Sequence, residues 1–346
     1  MQTIKIIEGA AKLIIPKAKR IYDADVFYNP DQVVNRDISI LITKALLDRN
    51  AAVLDLLSAS GVRAIRFAKE AGLKNVYAND ANPVAYKLIL KNARLNKAKI
   101  IASNLRAHEF LATRYKLKDK KFDYIDVDPF GTPVPFLDAV VKALNPRGGI
   151  LAVTATDTAA LCGSAPKACL RKYGAVPLRN ELMHEIGIRI LLKKIIEVGA
   201  QYDLALTPIF VHSTLHYMRV YLQANSGAEV ANKILEQVGM FEHAGPMWLG
   251  RLWDEKLAGK IYLLAIKNKY ICDETNNLLF QIKNESKINS FGFYDLATFK
   301  LKQVPKISDV IAGLHAKGFR AARTHFSPTG IRTNAAKNKF LEILKA

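Results

Sequence analysis

Between residues 51 and 155, short apolar runs alternate with amphipathic ones, and that alternation constrains the fold more than any other feature of the chain. Val53–Leu57 predicts a buried strand, Val62–Glu70 a helix, Asn75–Asn79 a strand, and Pro83–Asn96 a helix with proline in its first turn. Strand-like Ile100–Ala102, a charged loop at Lys116–Lys121 and strand Phe122–Val127 follow. A helix at Val134–Leu144, an Asn-Pro-Arg-Gly-Gly turn and strand Ile150–Ala155 complete the series. The pattern is that of a doubly wound α/β domain with a parallel sheet. Ligands of such sheets bind outside the carboxyl ends of the strands, which is where Ser58–Gly61, Asp80, Asp128 and Thr154–Asp157 fall.

Beyond the alternating region, Asn180–Gly199 predicts a long helix, and Tyr202–Val211 and Leu215–Ala224 predict strands. Tyr217, Arg219, Tyr221 and Gln223 alternate in the second of these, as expected for an antiparallel addition to the sheet edge. After Ser226-Gly227 the pattern changes. Glu229–Val238 reads as a helix, Lys260–Lys267 as a strand, and Ile307–Lys317 and Ala335–Leu344 as helices. Two domains are expected, a catalytic one at 1–240 and a smaller α+β one at 241–346, with a soft boundary near 226–245. Trp248 and Trp253 are expected in the core at their junction.

The strand ending at Val127 runs into Asp128-Pro129-Phe130-Gly131. The lone pair of an exocyclic amine on a nucleobase is delocalised into the ring. It becomes nucleophilic when hydrogen-bond acceptors hold both N–H groups, and the Asp128 carboxylate and Pro129 carbonyl supply two acceptors. Phe130 adds a ring on which a base can stack.

The loop Leu57-Ser58-Ala59-Ser60-Gly61-Val62-Arg63 has one glycine where a dinucleotide-binding turn needs three, so a pyrophosphate is disfavoured. Its small residues admit a compact nucleoside, and Asp80 ends the next strand about 20 residues on, where a carboxylate can take both ribose hydroxyls. S-adenosylmethionine meets these requirements, with Arg63 placed to pair with its carboxylate. Two roles stay open for Asp80, the second being a cap on the helix that begins near Pro83.

Net charge is +20, from 51 Lys and Arg against 31 Asp and Glu, and residues 301–346 alone hold nine Lys or Arg against Asp309 and Glu342. Such a balance favours a nucleic-acid partner through counterion release. Three cysteines without a Cys-x-x-Cys pair exclude a disulfide framework and a four-cysteine zinc site. His212 and His216 flank a turn without a third ligand, so no metal is expected. No apolar run approaches a membrane span, and Met1–Ala11 lacks the layout of a signal peptide. The expectation is a cytoplasmic protein, monomeric and without membrane contact.

Six separated motifs, in order, carry a family resemblance: Val26–Pro30 with Asn35-Arg36-Asp37, Leu54–Arg66, Asn79-Asp80, Asp126–Pro133, Gly245–Gly250 and Arg323–Gly330. Together they resemble the tRNA guanine-N2 dimethyltransferase family, which makes N2,N2-dimethylguanosine at position 26 of tRNA. The resemblance spans nearly the whole chain. It implies a Rossmann-like class I S-adenosylmethionine-dependent methyltransferase sheet with a C-terminal tRNA-binding domain, transferring one or two methyl groups to guanine 26.

By that similarity Arg36, Arg63, Asp80 and Ala107 would bind S-adenosylmethionine. Asp128, Pro129 and Phe130 would hold the guanine amine, and Phe27 would lie at the substrate pocket. Independently of the resemblance, the basic surplus at 301–346 places Arg320, Arg323 and Arg332, around the Thr324–Gly330 loop, as the expected grip on tRNA phosphates, with bracing of the domain interface as the other role open to Arg323. On the residues alone Arg36 reads as a surface ion-pair partner of Asp31 or Asp37. Two departures stand out. The family's adenine-reading Asp-Ala pair is matched here by Arg106-Ala107, and an arginine cannot accept the adenine N6 hydrogens, which leaves Asn104 or backbone groups for that task. The four-cysteine module that archaeal-type relatives often carry before the Gly-Pro-x-Trp-Leu-Gly segment has no counterpart in Glu229–Ala244. Competing expectations are an amino-group methyltransferase acting on ribosomal RNA or DNA, and a nonenzymatic RNA-binding protein on a decayed sheet.

Overall fold

The computed structural model describes residues 2–17, 23–117, 120–300 and 303–345, so residues 118 and 119 of the charged loop and Lys302 of the basic C-terminal stretch lie outside the described residues. A hairpin of β1 (Thr3–Glu8) and β2 (Ala11–Pro16) precedes helix α1 (Val33–Leu46). The alternating region then forms β3 (Ala52–Asp55), α2 (Val62–Glu70), β4 (Asn75–Asn79), α3 (Pro83–Leu95), β5 (Ile101–Ser103) and α4 (Ala107–Lys116). It continues through β6 (Tyr124–Val127), α5 (Leu137–Ala143) and β7 (Arg147–Ala155). Short helices α6 (Thr158–Leu161) and α7 (Pro166–Tyr173) lead to the long α8 (Met183–Ala200) and the strands β8 (Leu204–Thr214) and β9 (Tyr217–Ser226).

These strands make one seven-stranded sheet in the order β5-β4-β3-β6-β7-β9-β8. The first five are parallel, and β9 enters antiparallel between β7 and β8. From β3 the chain winds outward through β4 and β5, then returns to β6 on the other side. The β3/β6 boundary is therefore the switch point at which open α/β sheets bind ligands. Burial on both faces explains the sequence pattern: all four residues of β3 and of β6 are buried, so neither strand alternates.

Local chemistry sets the ends of the elements nearest the site. The α3 helix begins with Pro83 at its first position, and the Asn82 side chain accepts from Val84 N–H at 2.9 Å. Asn82 is thus the cap, which removes that role from Asp80. Gly61 enters α2 with φ +78°, and a Cβ there would lie 3.3 Å from Ile89, so glycine serves both the left-handed turn and the close packing of α2 on α3.

The C-terminal part departs from expectation in one element. Lys260–Lys267, read as a strand, lies mostly within helix α10 (Glu255–Ala265), which Asp254 caps by accepting from Leu257 N–H at 2.8 Å. The apolar run was too short to show its period. Over the full helix the buried Leu257, Ala258, Ile261 and Ala265 follow helical spacing. After α9 (Ala228–Leu235), a hairpin of β10 (Val238–Phe241) and β11 (Ala244–Trp248) precedes α10, and α11 (Asp273–Glu285) packs with α10 on α1. Trp248 and Trp253 are buried in the principal core, which extends from the sheet to Phe326. A small second core, including Leu296, Leu314, Ile331 and Phe340, fills the space between a three-stranded sheet and two helices. That sheet is β12 (Tyr294–Asp295), β14 (Gly330–Thr333) and β13 (Ala321–Arg323), and the helices are α12 (Ile307–Ala316) and α13 (Lys337–Lys345).

Candidate active site

Three carboxylates converge at the carboxyl ends of β3 and β6: Asp55, Asp126 and Asp128. Two buried arginines stand between them. Arg63, in the first turn of α2, donates from Nη2 to Asp128 Oδ2 at 2.5 Å and from Nη1 to Asn35 Oδ1 at 3.0 Å and Ser39 Oγ at 2.8 Å. Its Nε lies 3.4 Å from Asp126 and 4.0 Å from Asp55. Arg219, from β9, grips Asp126 with both Nη atoms at 3.1 and 2.5 Å and donates to Thr154 Oγ1 at 2.8 Å.

The energetics divide these acids. Burial alone would raise the Asp126 carboxyl, but Arg219 and Arg63 outweigh it and hold the group below its ordinary range. Asp55 goes the other way. Burial pushes it up to about 7 against the pull of Arg63, and the charges on Asp126 and Asp128 add to the rise, while Ser58 Oγ donates to it at 2.6 Å. With all three acids ionised the cluster carries one more negative charge than positive, which favours a cationic ligand.

Asp128 keeps 16% of its side chain exposed, whereas Asp126 is sealed. The Asp128-Pro129-Phe130-Gly131 turn is anchored to the end of β7: Gly131 N–H donates to Thr156 Oγ1 at 2.7 Å, and Thr156 N–H to the Gly131 carbonyl at 3.0 Å. Phe130 stays 66% exposed and meets Phe27 edge-to-face, with ring centroids 4.5 Å apart. Gly131 has φ +75°, and nothing lies within 4 Å of where a Cβ would stand.

Beside this turn opens a cleft of about 370 Å³, lined by Phe27, Ala59, Asp80, Asn82, Ala85 and Phe130 among others. Asp80 accepts Ala59 N–H at 2.8 Å on one oxygen and Asn82 N–H at 2.9 Å on the other. It therefore pins the small-residue loop after β3, where Ala59 itself has φ +46°. Each oxygen keeps a lone pair for a further donor, so ribose hydroxyls can still be taken. Ala107 is buried at the first turn of α4, and Asn104 Nδ2 donates to the Asp80 carbonyl at 2.8 Å, which draws the loop after β5 to the same cleft. A second hollow, of about 210 Å³ between Arg189, Trp253 and Phe291, lies at the C-terminal junction and has no acid in its lining.

Two arginines of the sequence reading sit elsewhere than expected. Arg36 is no surface group. It is 5% exposed and grips Glu8 with bonds of 2.7 and 2.6 Å, and its Nη2 also reaches the Asn29 carbonyl at 3.0 Å. Asp37 pairs instead with Arg66 at 2.6 Å, which also reaches Glu8 at 2.9 Å. Burial would raise Glu8, but Arg36 and Arg66 hold it at about 2. This network braces the Tyr28 side of the cleft, where the Tyr28 hydroxyl donates to Glu8 at 2.8 Å.

Arg332 is a correction. It is fully buried and bridges Glu185 of α8 at 2.6 Å and Glu285 of α11 at 2.8 Å, so it presents nothing to a phosphate. Its β14 position points inward because Ile331 and Arg332 face opposite sides of a strand that is covered on both. Arg320 and Arg323 are exposed, each donating once to a neighbouring backbone carbonyl, of Lys287 and Pro328 respectively.

Glu8, Asn35, Ser39 and Arg219 were absent from the sequence-derived site. The available signal for Arg219 was an arginine amid the apolar and aromatic residues of the first half of its strand, Tyr217–Leu222. Asp157, placed near the pocket by sequence, does not cap the next helix with its side chain; it accepts from the Tyr173 hydroxyl at 2.7 Å and from Lys172 at 3.1 Å.

The family model for N2,N2-dimethylguanosine tRNA methyltransferase matches residues 9–244 and 239–345. The chain is 40% identical to a tRNA (guanine(26)-N(2)/guanine(27)-N(2))-dimethyltransferase of Aquifex aeolicus, over 98% of this chain and 94% of that protein. It is 39% identical to the tRNA (guanine(26)-N(2))-dimethyltransferase of Pyrococcus furiosus, over 100% of this chain and 99% of that protein. Among solved structures, Trm1 from Pyrococcus horikoshii in complex with S-adenosyl-L-methionine superposes with a TM-score of 0.89 at 37% identity, covering 98% of this chain and 99% of that one.

Proposed function

The chain belongs to the N2,N2-dimethylguanosine tRNA methyltransferase family, and on that premise we propose how its own residues carry out methyl transfer to guanine N2 of tRNA. It is an S-adenosylmethionine-dependent tRNA guanine-N2 methyltransferase. The observation that carries the mechanism is the Asp128-Pro129-Phe130-Gly131 turn, which holds a partly exposed carboxylate at the sheet's switch point beside an open aromatic edge.

The residues present suit the cofactor. Asp80 faces the cleft with lone pairs to spare for a ribose, the Ser58–Gly61 loop lets a nucleoside approach the backbone, and the acidic excess at Asp55, Asp126 and Asp128 favours a sulfonium. When bound, S-adenosylmethionine supplies an electrophilic methyl on an excellent leaving group. The protein's task is therefore alignment and desolvation more than strong base catalysis. Arg63 keeps one Nη2 hydrogen beyond its bonds to Asp128, Asn35 and Ser39, enough for one contact to a ligand carboxylate. Ala107 and Arg36 are assigned to the same pocket, Ala107 through the helix start that Asn104 draws toward Asp80, and Arg36 through the brace it gives the Tyr28 segment.

Asp128 accepts from the guanine amine and stabilises the positive charge that builds on nitrogen, the Pro129 carbonyl takes the second N–H, and one N2 proton is lost, through the partly exposed Asp128 carboxylate to solvent, as or after the methyl arrives. Phe130 and Phe27 flank the base. A second transfer needs space for one methyl near the amine, and the open side of Gly131 provides it. Residues 1–240 form the catalytic portion and 241–346 the tRNA-gripping portion, with Arg320 and Arg323 as exposed phosphate contacts. No helix among the described residues is long and apolar enough to cross a membrane. The enzyme works as a cytoplasmic monomer, its target being guanine 26.

The test is mass spectrometry of nucleosides from a transcribed tRNA incubated with enzyme and cofactor. N2-methyl- and N2,N2-dimethylguanosine should appear, and replacing guanine 26 by adenine should abolish them. Product on ribosomal RNA but not tRNA would overturn the reading, and residual product after the replacement would move the target to a neighbouring guanine.

A further inference from the structure

Among the described residues, six buried side-chain nitrogen or oxygen atoms have no hydrogen-bond partner, and three of them fall on one face of one hairpin: His212 Nε2, Tyr217 hydroxyl and Arg219 Nε. Buried polar atoms are rarely left unpaired without a reason. The register shows what this face addresses. His212 pairs with Arg219 and Thr214 with Tyr217 across β8 and β9, while Arg219 pairs with Thr154 and Met218 with Ala155 across β9 and β7. Residues two apart on a strand share a face. Tyr217 therefore lies one step beyond Arg219 toward the carboxyl ends of the parallel strands, on the side where Arg219 grips Asp126 and Asp128 follows.

Tyr217 is 4% exposed, with the His212 ring edge-on to it at 5.7 Å. The Thr214 hydroxyl stands near the phenol but is bonded to His212 Nδ1 at 2.9 Å. Burial foremost, with the charges of Tyr221 and Asp128, raises the phenol's pKa, so it stays a donor at all ordinary pH. Burial, His325 and Arg219 keep the His212 ring neutral.

Guanine presents its N2 amine and its O6 carbonyl on one edge. An acceptor at N2 alone does not identify the base, because 2-aminopurine carries the same amine. The reader of O6 has to be a donor, and the cleft side of the sheet already holds the cofactor's Asp80. The substrate side, beyond β6, offers β7 and β9. Thr156 there accepts from Gly131, and Arg219 has both Nη groups bound by Asp126 and Thr154, with only its Nε open and that one step deeper than Tyr217 from the strand ends.

We propose that Tyr217 is a specificity residue, whose phenol hydroxyl donates to O6 of the target guanine while Asp128 accepts from N2. The proposal rests on the guanine-N2 methyltransferase reading above. Substrate then supplies a better partner than the hydroxyl finds within the fold, where its near neighbour is the Thr214 hydroxyl already bonded to His212.

The experiment compares wild type and Tyr217→Phe on two tRNAs, one with guanine and one with 2-aminopurine at position 26. Tyr217→Phe should lower kcat/KM on the guanine tRNA by about 10-fold, as expected for removing one substrate hydrogen bond, and wild type should fall at least as far on 2-aminopurine. On 2-aminopurine the substitution should cost no more than about 2-fold, because the bond is already missing. The analogue also lacks the N1 hydrogen, so only this non-additive part reports on Tyr217. Equal losses on both tRNAs would overturn the assignment, as would a wild-type rate on guanine. Removing an unpaired buried hydroxyl should leave the melting temperature unchanged or raised, and a clear fall would show a structural partner and overturn the assignment too. If wild type methylates neither tRNA, the guanine-N2 methyltransferase reading fails and takes this proposal with it. Transfer to guanine with equal losses sinks the Tyr217 assignment alone.

Discussion

Replacing Asp128 separates its chemistry from its part in the fold, because the structure shows what each would lose. In Asp128→Ala the Arg63 guanidinium gives up its 2.5 Å bond but keeps Asn35, Ser39 and, through Nε, Asp126 at 3.4 Å. No buried charge is left unpaired, so the stability cost should be about 1–3 kcal/mol, well short of what breaking an isolated buried pair would cost. With Asp55 ionised the acidic excess falls from one charge to none, which weakens a cationic cofactor's binding, though less than it slows transfer. Turnover loses an oriented, charge-assisted acceptor on the nitrogen that becomes positive, and about 100-fold or more is expected, or roughly 2.7 kcal/mol. Asp128→Asn retains an acceptor of the same shape without the charge, and since a neutral hydrogen bond has about half the strength, its loss should be nearer 10-fold. Single-turnover methyl transfer on transcribed tRNA measures the rates, calorimetry the cofactor, and thermal melting the fold. A near-wild-type rate for Asp128→Ala, or identical large losses in both variants with a collapsed melting temperature, would refute the assigned role.

Four further outcomes follow from the same geometry. Arg332→Met should destabilise by about 3–5 kcal/mol in chemical denaturation, because it orphans parts of Glu185 and Glu285, while the salt dependence of tRNA binding stays as it was; an altered salt slope in a stable variant would restore it as a phosphate contact. The double variant Arg320→Ala/Arg323→Ala should flatten the slope of log affinity against log salt by roughly 0.7–0.9 for each phosphate no longer neutralised, with melting temperature kept, and an unchanged slope would move the electrostatic footprint to the sheet domain. Asp80→Ala should weaken S-adenosylmethionine by roughly 1.5–3 kcal/mol in calorimetry, whereas an unchanged affinity would leave Asp80 only as the anchor of the Ala59 loop. Because burial raises Asp55 to about 7, its neutral form belongs to the fold: that contribution is complete below the unfolded carboxylate value and is lost as pH rises through about 7. Over the same interval the added negative charge should tighten cofactor binding between about pH 6 and 8, and Asp55→Asn should abolish the trend; a wild type without it would show that Asp55 does not titrate there.

The sheet was legible because its evidence is local. Strands buried on both faces read as unbroken apolar runs, and helices between them carry period and caps, so β3 to β7 and the crossovers α2, α3 and α5 lie within a few residues of where the pattern places them, while α4 went unread. Lys260–Lys267 failed for the opposite reason. Six consecutive apolar residues between two lysines fit a buried strand or half of a helix, and the cap that decides, Asp254, lies outside that window. Helix α11 went unread because its apolar residues, Leu278, Leu279, Phe280 and Ile282, cluster without a clear stripe, and its burial comes from packing between α10 and the later strand β13, which the window does not contain.

The site divides along the same line. Asp80 and Asp128 could be named because a carboxylate at the end of a parallel strand has few other uses, and their positions depend only on the strand that carries them. What could not be read was the set of partners that decides how each acid behaves. Asp126 and Asp128 are two residues apart at the end of one strand, yet Arg219, 93 positions on, seals the first, while the second keeps an exposed edge and shares Arg63. A sequence shows both as Asp in an apolar run. The same distance hid Arg36, whose partner Glu8 comes from the first hairpin, and misassigned Arg332, whose exposure was inferred from a basic stretch although its own strand is covered on both faces. An arginine's charge argues for a phosphate only while the side chain is at the surface. In this chain Arg63, Arg66, Arg189, Arg219 and Arg332 are buried against carboxylates, so part of the cationic content that suggests nucleic acid is used inside the fold. Each of those arginines is offset by an acid in the same interior, and the net +20 therefore resides mainly on the surface, where counterion release can act on tRNA.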